Sequence, residues 1–169
     1  MKKIFLIFFV WRIGLLLIGF LAQNWLAFKH SFPYADTILI PTGLPQWLWS
    51  WGNFDGVHYI TLAKSGYDGF GTQVFFPLYP MLSNGLTWLT QDTFISAFLI
   101  SNVAILLAGI LLFKLVKKHF DENTAKWSVL FLFTFPTSLF FGAVYTESLF
   151  LLLLLLSFWK TGFLAGIFR

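Results

Sequence analysis

The sequence predicts an all-α integral membrane protein with about four transmembrane helices and a long first loop carrying short interfacial helices. Of its 169 residues, 58% are hydrophobic and 11% charged, and the mean hydropathy of +0.79 lies far above that of a soluble domain. Phe and Trp number 23 and 8, an aromatic excess suited to lipid tails and headgroup anchoring rather than to an ordinary core. The basic residues, which leave a net charge of +4, gather at the ends of apolar runs. That is topological signalling, so no nucleic-acid partner is inferred. The chain contains no cysteine, which removes disulfides, thiolate nucleophiles and cysteine metal sites from consideration. A single membrane domain over 1–169 is expected, with no internal repeat, low-complexity tract or soluble domain.

The first span is expected at about 4–22. Behind Lys2 and Lys3 the chain runs apolar from Ile4 to Leu21, broken by Arg12 and two glycines. That run is longer than a signal-peptide core and no Ala-x-Ala site follows, so it reads as an uncleaved helix. A second span at about 94–113 ends in Lys114, Lys117, Lys118 and His119, whereas Gln23 to Thr93 holds only Lys29 and Lys64 as strong bases. The positive-inside rule makes the N-terminus cytoplasmic and loop 23–93 extracytoplasmic or luminal.

Between Trp127 and Trp159 the apolar chain is interrupted at Phe135-Pro136-Thr137-Ser138 and at Tyr145-Thr146-Glu147-Ser148. Two crossings need roughly 40 residues, more than are present. A hairpin with arms at about 127–141 and 145–159 returns Lys160 and Arg169 to the side of Lys126. Its turn is then expected below the outer surface, in a protein-walled or watery recess. Glu147 falls at that recess. An ionisable residue inside a span is a functional candidate, with pairing to Arg12 or Lys64 as the plain alternative.

The loop divides in two. Gln23 to Ser50, with Pro33, Pro41, Gly43 and Pro45, reads as irregular chain over the membrane surface, closing on interfacial Trp47, Trp49 and Trp51. Asn53 to Pro80 is a polar island carrying Asp55, His58, Lys64 and Asp68. From Asp55 to Ser65 there is no proline and Gly66 offers a C-cap, which predicts a short helix. Asp55, His58 and Tyr59 then share one face at i, i+3 and i+4. Asp55 fits a helix N-cap as well as a catalytic base. His58 fits a hydrogen-bonded packing residue as well as a ligand, and no second histidine gives zinc-ligand spacing. Phe75-Phe76-Pro77-Leu78-Tyr79-Pro80 is expected to be a rigid aromatic turn, because each proline removes a donor and favours extended geometry before it. It suits a membrane anchor, and by its place beside the island also a cavity wall. Met81 to Leu89 reads as an interfacial helix.

The blocks FDGVHYITLAKSGY, FFPLYPML, ISNVAILLAGILLFKLVKKHF and LFTFPTSLFFGAVYTESLFLLLL, in that order, resemble the PIG-V-like mannosyltransferase family of the GT-C superfamily of polyprenyl-phosphate-sugar-dependent glycosyltransferases. The paired blocks FFPLYP and FPTSLFFGAVYTESLF are the specific part. The family's loop usually opens with Trp-Asp; here Phe54-Asp55 stands in that place.

The resemblance implies a GT-C-like helical module that takes a sugar, typically mannose, from a polyprenyl-phosphate donor and adds it, with inversion, to an acceptor hydroxyl outside the cytoplasm. It implies Asp55 as the catalytic carboxylate, and it matches Tyr145 and Glu147 to the family's Tyr-Thr-Glu block. His58, Tyr59 and Tyr79 are further candidates for substrate contact. A lipid phosphate calls for positive charge, for which Lys64 and Arg12 qualify by sign and location. Asp55 and Glu147 are expected to border one cavity with His58 and the FFPLYP turn. The expected partners are membrane lipid, the lipid-linked sugar donor and a glycan, glycolipid or protein acceptor; no cofactor is required, and a divalent ion stays open.

Family members continue for several more spans, so the chain reads as an N-terminal fragment with a next segment beginning at Thr161-Gly162-Phe163-Leu164-Ala165-Gly166. Two other classes compete. A carrier would place ionisable groups through several spans towards both faces. A non-catalytic subunit would use Asp55 as a cap and the aromatics as anchors.

Overall fold

The computed structural model describes residues 2–26, 34–67, 69 and 72–161. Asp68, Lys29 and the segment 162–166 lie outside the described residues. All regular structure among those described is helical.

Helix α1, Lys2–Trp25, is a proline-free apolar run of 24 residues, about 36 Å at 1.5 Å per residue and so long enough for a bilayer core. Short elements follow, among them α2, Gln46–Trp49, then α3, Asp55–Ser65, and α4, Leu78–Thr90. Helix α5 spans Thr93–His119. Asp92 caps its start by accepting the Ile95 amide at 2.8 Å, and Lys117, Lys118 and His119 in its last turn complement the helix dipole. Asp121 likewise caps α6, Glu122–Thr134, through the amides of Asn123 and Thr124.

Helix α6 stops at Phe135, whose extended backbone (φ −64°, ψ 138°) is what a following proline favours. The segment Pro136–Gly142 turns off at 71° to α6 and ends in the short α7, Leu139–Gly142. Ala143 to Thr146 are not helical, and α8 follows over Glu147–Thr161. By length and composition α1 and α5 can each cross a membrane, and the bent pair α6–α7 makes a third if it counts as one span. The protein is an integral membrane protein. The runs read as spans at 4–22 and 94–113 lie inside α1 and α5.

Helix α5 is the central element, with α4, α6 and α8 packed on it. Its buried residues Ala97, Ser101, Ala104 and Ala108 are small and recur at helical spacing, which lets neighbours approach closely. Two cores are stacked along it. One joins Ile4, Phe8, Ile105, Phe113, Val129 and Phe133; the other joins Leu39, Trp49, Val57, Ile60, Phe94 and Val144.

Two expectations are corrected. The stretch 23–50 is not merely surface chain: α1 continues to Trp25, and after residue 33 a π-type turn over Ala35–Leu39 buries Ala35 and Leu39 completely beside Trp49. Their i, i+4 spacing gives an apolar face that irregularity of composition concealed. The aromatic turn also ends earlier than Pro80. Leu78, Tyr79 and Pro80 form the first turn of α4, where a proline is tolerated because the first amides of a helix have no intrahelical partner.

Candidate active site

The short helix of the polar island has the expected bounds. It runs from Asp55 to Ser65, and Gly66 closes it with a positive φ of 77°. Its start is less ordinary. Phe54 occupies the cap position at φ 58°, ψ −125° with no side-chain cap bond, and Asp55 is the first helical residue. The capping alternative for Asp55 is therefore not realised. The Gly56 amide donates to the Asn53 carbonyl at 3.3 Å, closing a turn in which Phe54 takes the conformation that glycine holds at the second position of a type II′ turn. A bulky residue there stores strain, and such strain gathers at functional sites. It leaves the Asp55 side chain exposed at the tip of α3.

The chain between α7 and α8 locks this tip in place. Gly56 lies so close to it that a Cβ there would stand 3.2 Å from the Val144 carbonyl oxygen. The Val144 amide donates to the Trp51 carbonyl at 2.9 Å. The Tyr145 hydroxyl donates to the Asn53 carbonyl at 2.9 Å, with its ring stacked on Phe140. Beneath, Ser101 on α5 donates to the Tyr145 carbonyl at 3.0 Å and shares a 2.7 Å hydrogen bond with the buried Tyr79 hydroxyl, which also reaches the Ala97 carbonyl.

Tyr59, one helical turn after Asp55 on α3, reaches the residue before Glu147. Its hydroxyl and that of Thr146 share a hydrogen bond of 3.2 Å. Burial pushes the Tyr59 phenol up, the Thr146 bond opposes this, and the charges of Glu147 and Asp55 both add to the rise. One phenol thus feels both carboxylates. Burial also raises the Tyr79 phenol.

Glu147, Thr146, Tyr79, Leu78 and Phe76 line a cavity of about 510 Å³ whose wall descends along α8 through Leu149, Phe150 and Leu153. This cavity brings Glu147 together with the FFPLYP block. Its lining does not include Asp55 or His58. His58 is half-buried, stacked on Phe75 with centroids 5.1 Å apart and meeting Tyr34 edge-on at 5.7 Å.

The two expected phosphate partners lie elsewhere. Lys64 is nine residues along α3 from Asp55, about 14 Å at helical rise, and lines a separate groove of about 310 Å³ with Tyr67, Met81 and Asn84. Arg12 is buried with its guanidinium over the rings of Trp51 and Phe98. It pairs with neither Glu147 nor any other carboxylate among the described residues. Among those residues, no group of three His, Asp or Glu side chains could hold a metal ion.

Asn53, Ser101 and Gly142 escaped sequence reasoning as site supports. For Ser101 a signal existed: Ser101-Asn102 is a polar pair inside the apolar run of α5, and such a pair in a span seeks a buried partner. Asn53 acts through its backbone carbonyl, which no side-chain pattern announces.

Residues 2–164 match the family described as mannosyltransferase (PIG-V). The chain is also similar to GPI mannosyltransferase 2 of Drosophila pseudoobscura pseudoobscura, 29% identical over 134 residues, an alignment covering 70% of this chain and 28% of that protein. The chain thus spans well under two thirds of the length of that relative. No solved structure matches it.

Proposed function

Because the chain belongs to the PIG-V mannosyltransferase family, we propose that it carries the transfer site of a membrane glycosyltransferase. That enzyme moves mannose from a polyprenyl-phosphate donor to an acceptor hydroxyl, at the extracytoplasmic or luminal face. The observation that carries this reading is that Asp55, presented on a strained turn, and Glu147, at the head of a largely apolar cavity, stand on two segments joined by the Tyr145–Asn53 hydrogen bond.

An acceptor hydroxyl is a weak nucleophile. Asp55, exposed and held by the Asn53–Gly56 turn, accepts its proton as the acceptor oxygen forms its bond to the anomeric carbon. The bond from that carbon to the phosphate oxygen breaks on the opposite side, the electron pair leaves with polyprenyl phosphate, and the anomeric centre inverts. Glu147, Thr146 and the Tyr59 hydroxyl orient sugar hydroxyls by hydrogen bonding. The aromatic and aliphatic wall formed by Phe76, Leu78, Phe150 and Leu153 suits a lipid chain entering from the membrane. A glycolipid acceptor fits that wall as well as the name of the fly relative.

The test is transfer from labelled polyprenyl-phosphate-mannose by the full chain and by Asp55→Asn in membranes. The substitution is expected to cost about 100-fold or more in turnover, the scale of lost general-base catalysis, with the fold retained. Undiminished transfer would sink the role of Asp55.

A further inference from the structure

Arg12 lies near the middle of α1 with 6% of its surface exposed. A cation buried in a span without a carboxylate is costly, so its contacts must offset that cost. The guanidinium carbon stands 4.4 Å from the ring centre of Trp51 and 4.6 Å from that of Phe98. Nη2 donates to the Gly142 carbonyl, the last of α7, at 2.9 Å. Nη1 has no hydrogen-bond partner, so the aromatic faces hold much of the charge. The fit is close: a Cβ on Gly142 would come within 3.0 Å of the guanidinium carbon and 3.3 Å of the Trp11 ring.

Each contact leads to one of the two segments that bear the carboxylates. Trp51 precedes the Asn53–Gly56 turn that presents Asp55, and its carbonyl takes the Val144 amide. Gly142 begins the stretch that reaches Glu147 through Tyr145, and Asn102 also donates to its carbonyl at 3.4 Å. The neighbouring Trp11 indole donates to Ser138 Oγ at 3.1 Å, tying α1 to the turn that starts this segment. Helix α1 thereby grips both halves of the site from below.

We propose that Arg12 is a positioning residue for the transfer site: stacked on Trp51 and bonded to Gly142, it sets the spacing between the segments that carry Asp55 and Glu147. This rests on the transfer-site reading given above. Arginine is required rather than lysine, because a planar guanidinium can lie over aromatic rings while donating from its edge and a compact ammonium cannot. The guanidinium is buried against the two rings, which separates this role from that of a solvent-facing phosphate ligand.

The chain has no native cysteine, so cysteines placed at the exposed positions Thr61 on α3 and Leu156 on α8, which are outside the cavity lining, can carry spin labels alone. In the full chain in nanodiscs, a single narrow distance is expected for native Arg12. Arg12→Lys and Arg12→Met should broaden or shift it, and Gly142→Ala should do the same with the charge intact. Turnover in the same variants should fall about tenfold while KM for the lipid donor stays within about twofold, the pattern of lost transition-state positioning. An unchanged distance in folded Arg12→Lys or Gly142→Ala overturns the proposal. A raised donor KM at unchanged distance also overturns it and assigns Arg12 to the donor phosphate. Should the native chain transfer no sugar, the transfer-site reading fails, while the label distances still decide whether Arg12 sets the α3–α8 geometry.

Discussion

The Tyr145 hydroxyl donates to the Asn53 carbonyl at 2.9 Å across 92 residues of sequence, and this bond joins the segment leading to Glu147 to the turn presenting Asp55. A tyrosine directly before a Thr-Glu pair invites a role in binding substrate. Its phenol is instead committed to backbone, with its ring on Phe140 and its own carbonyl held by Ser101. Tyr145 therefore acts on the chemistry through geometry.

Tyr145→Phe keeps the ring and removes that bond. The Asn53 carbonyl then keeps only the Gly56 amide, and the loss of one partly buried hydrogen bond is expected to cost about 1 kcal/mol of stability. Thermal unfolding in detergent should register this as a small drop in Tm. Transfer should fall by more than the lost stability explains, through kcat rather than KM. A donor KM that rises at constant kcat would show that the phenol contacts substrate.

Phe54 allows a comparison whose order runs against side-chain size. Its φ of 58° with ψ −125° suits glycine alone, so Phe54→Ala loses the ring and keeps the strain, whereas Phe54→Gly loses both. The glycine variant is expected to be the more stable of the two by about 1–3 kcal/mol, the cost of holding a non-glycine residue in such a conformation. At a regular helix N-terminus the order would be reversed or flat. Comparative Tm values decide it, and an alanine variant as stable as the glycine one would show that the turn carries no strain.

The membrane class, the bounds of α3 and the break at Pro136 were legible because each rests on a local rule: apolar length, a glycine stop, and a proline that forces extended backbone before it. The burial of Leu39 was not, since an apolar pair flanked by prolines looks like loop until Trp49, Ile60 and Phe94 close over it. Pro80 misled for the opposite reason, being harmless in a first helical turn. Topology and resemblance led to the expectation that Asp55 and Glu147 border one cavity, whereas the cavity lined by Glu147 does not include Asp55; what joins their two segments, Val144 on Trp51 and Tyr145 on Asn53, uses backbone carbonyls that side-chain patterns do not record. Arg12 was legible as an oddity; its enclosure by two rings depended on residues 39 and 86 positions away.

The basic end of the bundle has a pH signature of its own. Glu122 lies 2.7 Å from Lys117 and 2.8 Å from Lys126, and hydrogen bonds and charge from both lysines hold its carboxyl down to about 2, from an ordinary 4.5. A carboxylate depressed on folding contributes stability that is full above the unfolded value and is lost as pH falls from about 4.5 towards 2. The cluster is exposed, so solvent and salt screen it and the effect is small. Glu122→Gln is expected to lower Tm slightly at pH 7 in low salt. That difference should shrink in high salt and be mostly lost at the acid end of the window. A difference that persists undiminished at pH 2, where the native carboxyl is about half protonated, would contradict the pairing.

Gly56 gives the most direct test of the contact between the tip of α3 and the chain ahead of α8. A Cβ at this position meets the Val144 carbonyl oxygen at 3.2 Å, the Val144 Cβ at 3.5 Å and the Tyr145 ring at 3.6 Å. The first of these is backbone, already fixed by the Val144 amide on Trp51, and cannot swing aside as a flexible side chain would. Gly56→Ala should therefore push the tip of α3 away from Val144, at a cost of about 1–3 kcal/mol for an overpacked buried contact. Helix propensity alone argues the other way, since alanine is favoured over glycine in a helix by about 1 kcal/mol. Gly14→Ala in α1 serves as the control: that Cβ meets nothing within 4 Å, so only the propensity gain remains and Tm should hold or rise. The displacement also carries Asp55, the residue next to Gly56, away from Glu147, so transfer by Gly56→Ala should fall further than its stability does. Unimpaired Tm and transfer in Gly56→Ala would mean that the tip of α3 does not rest on Val144.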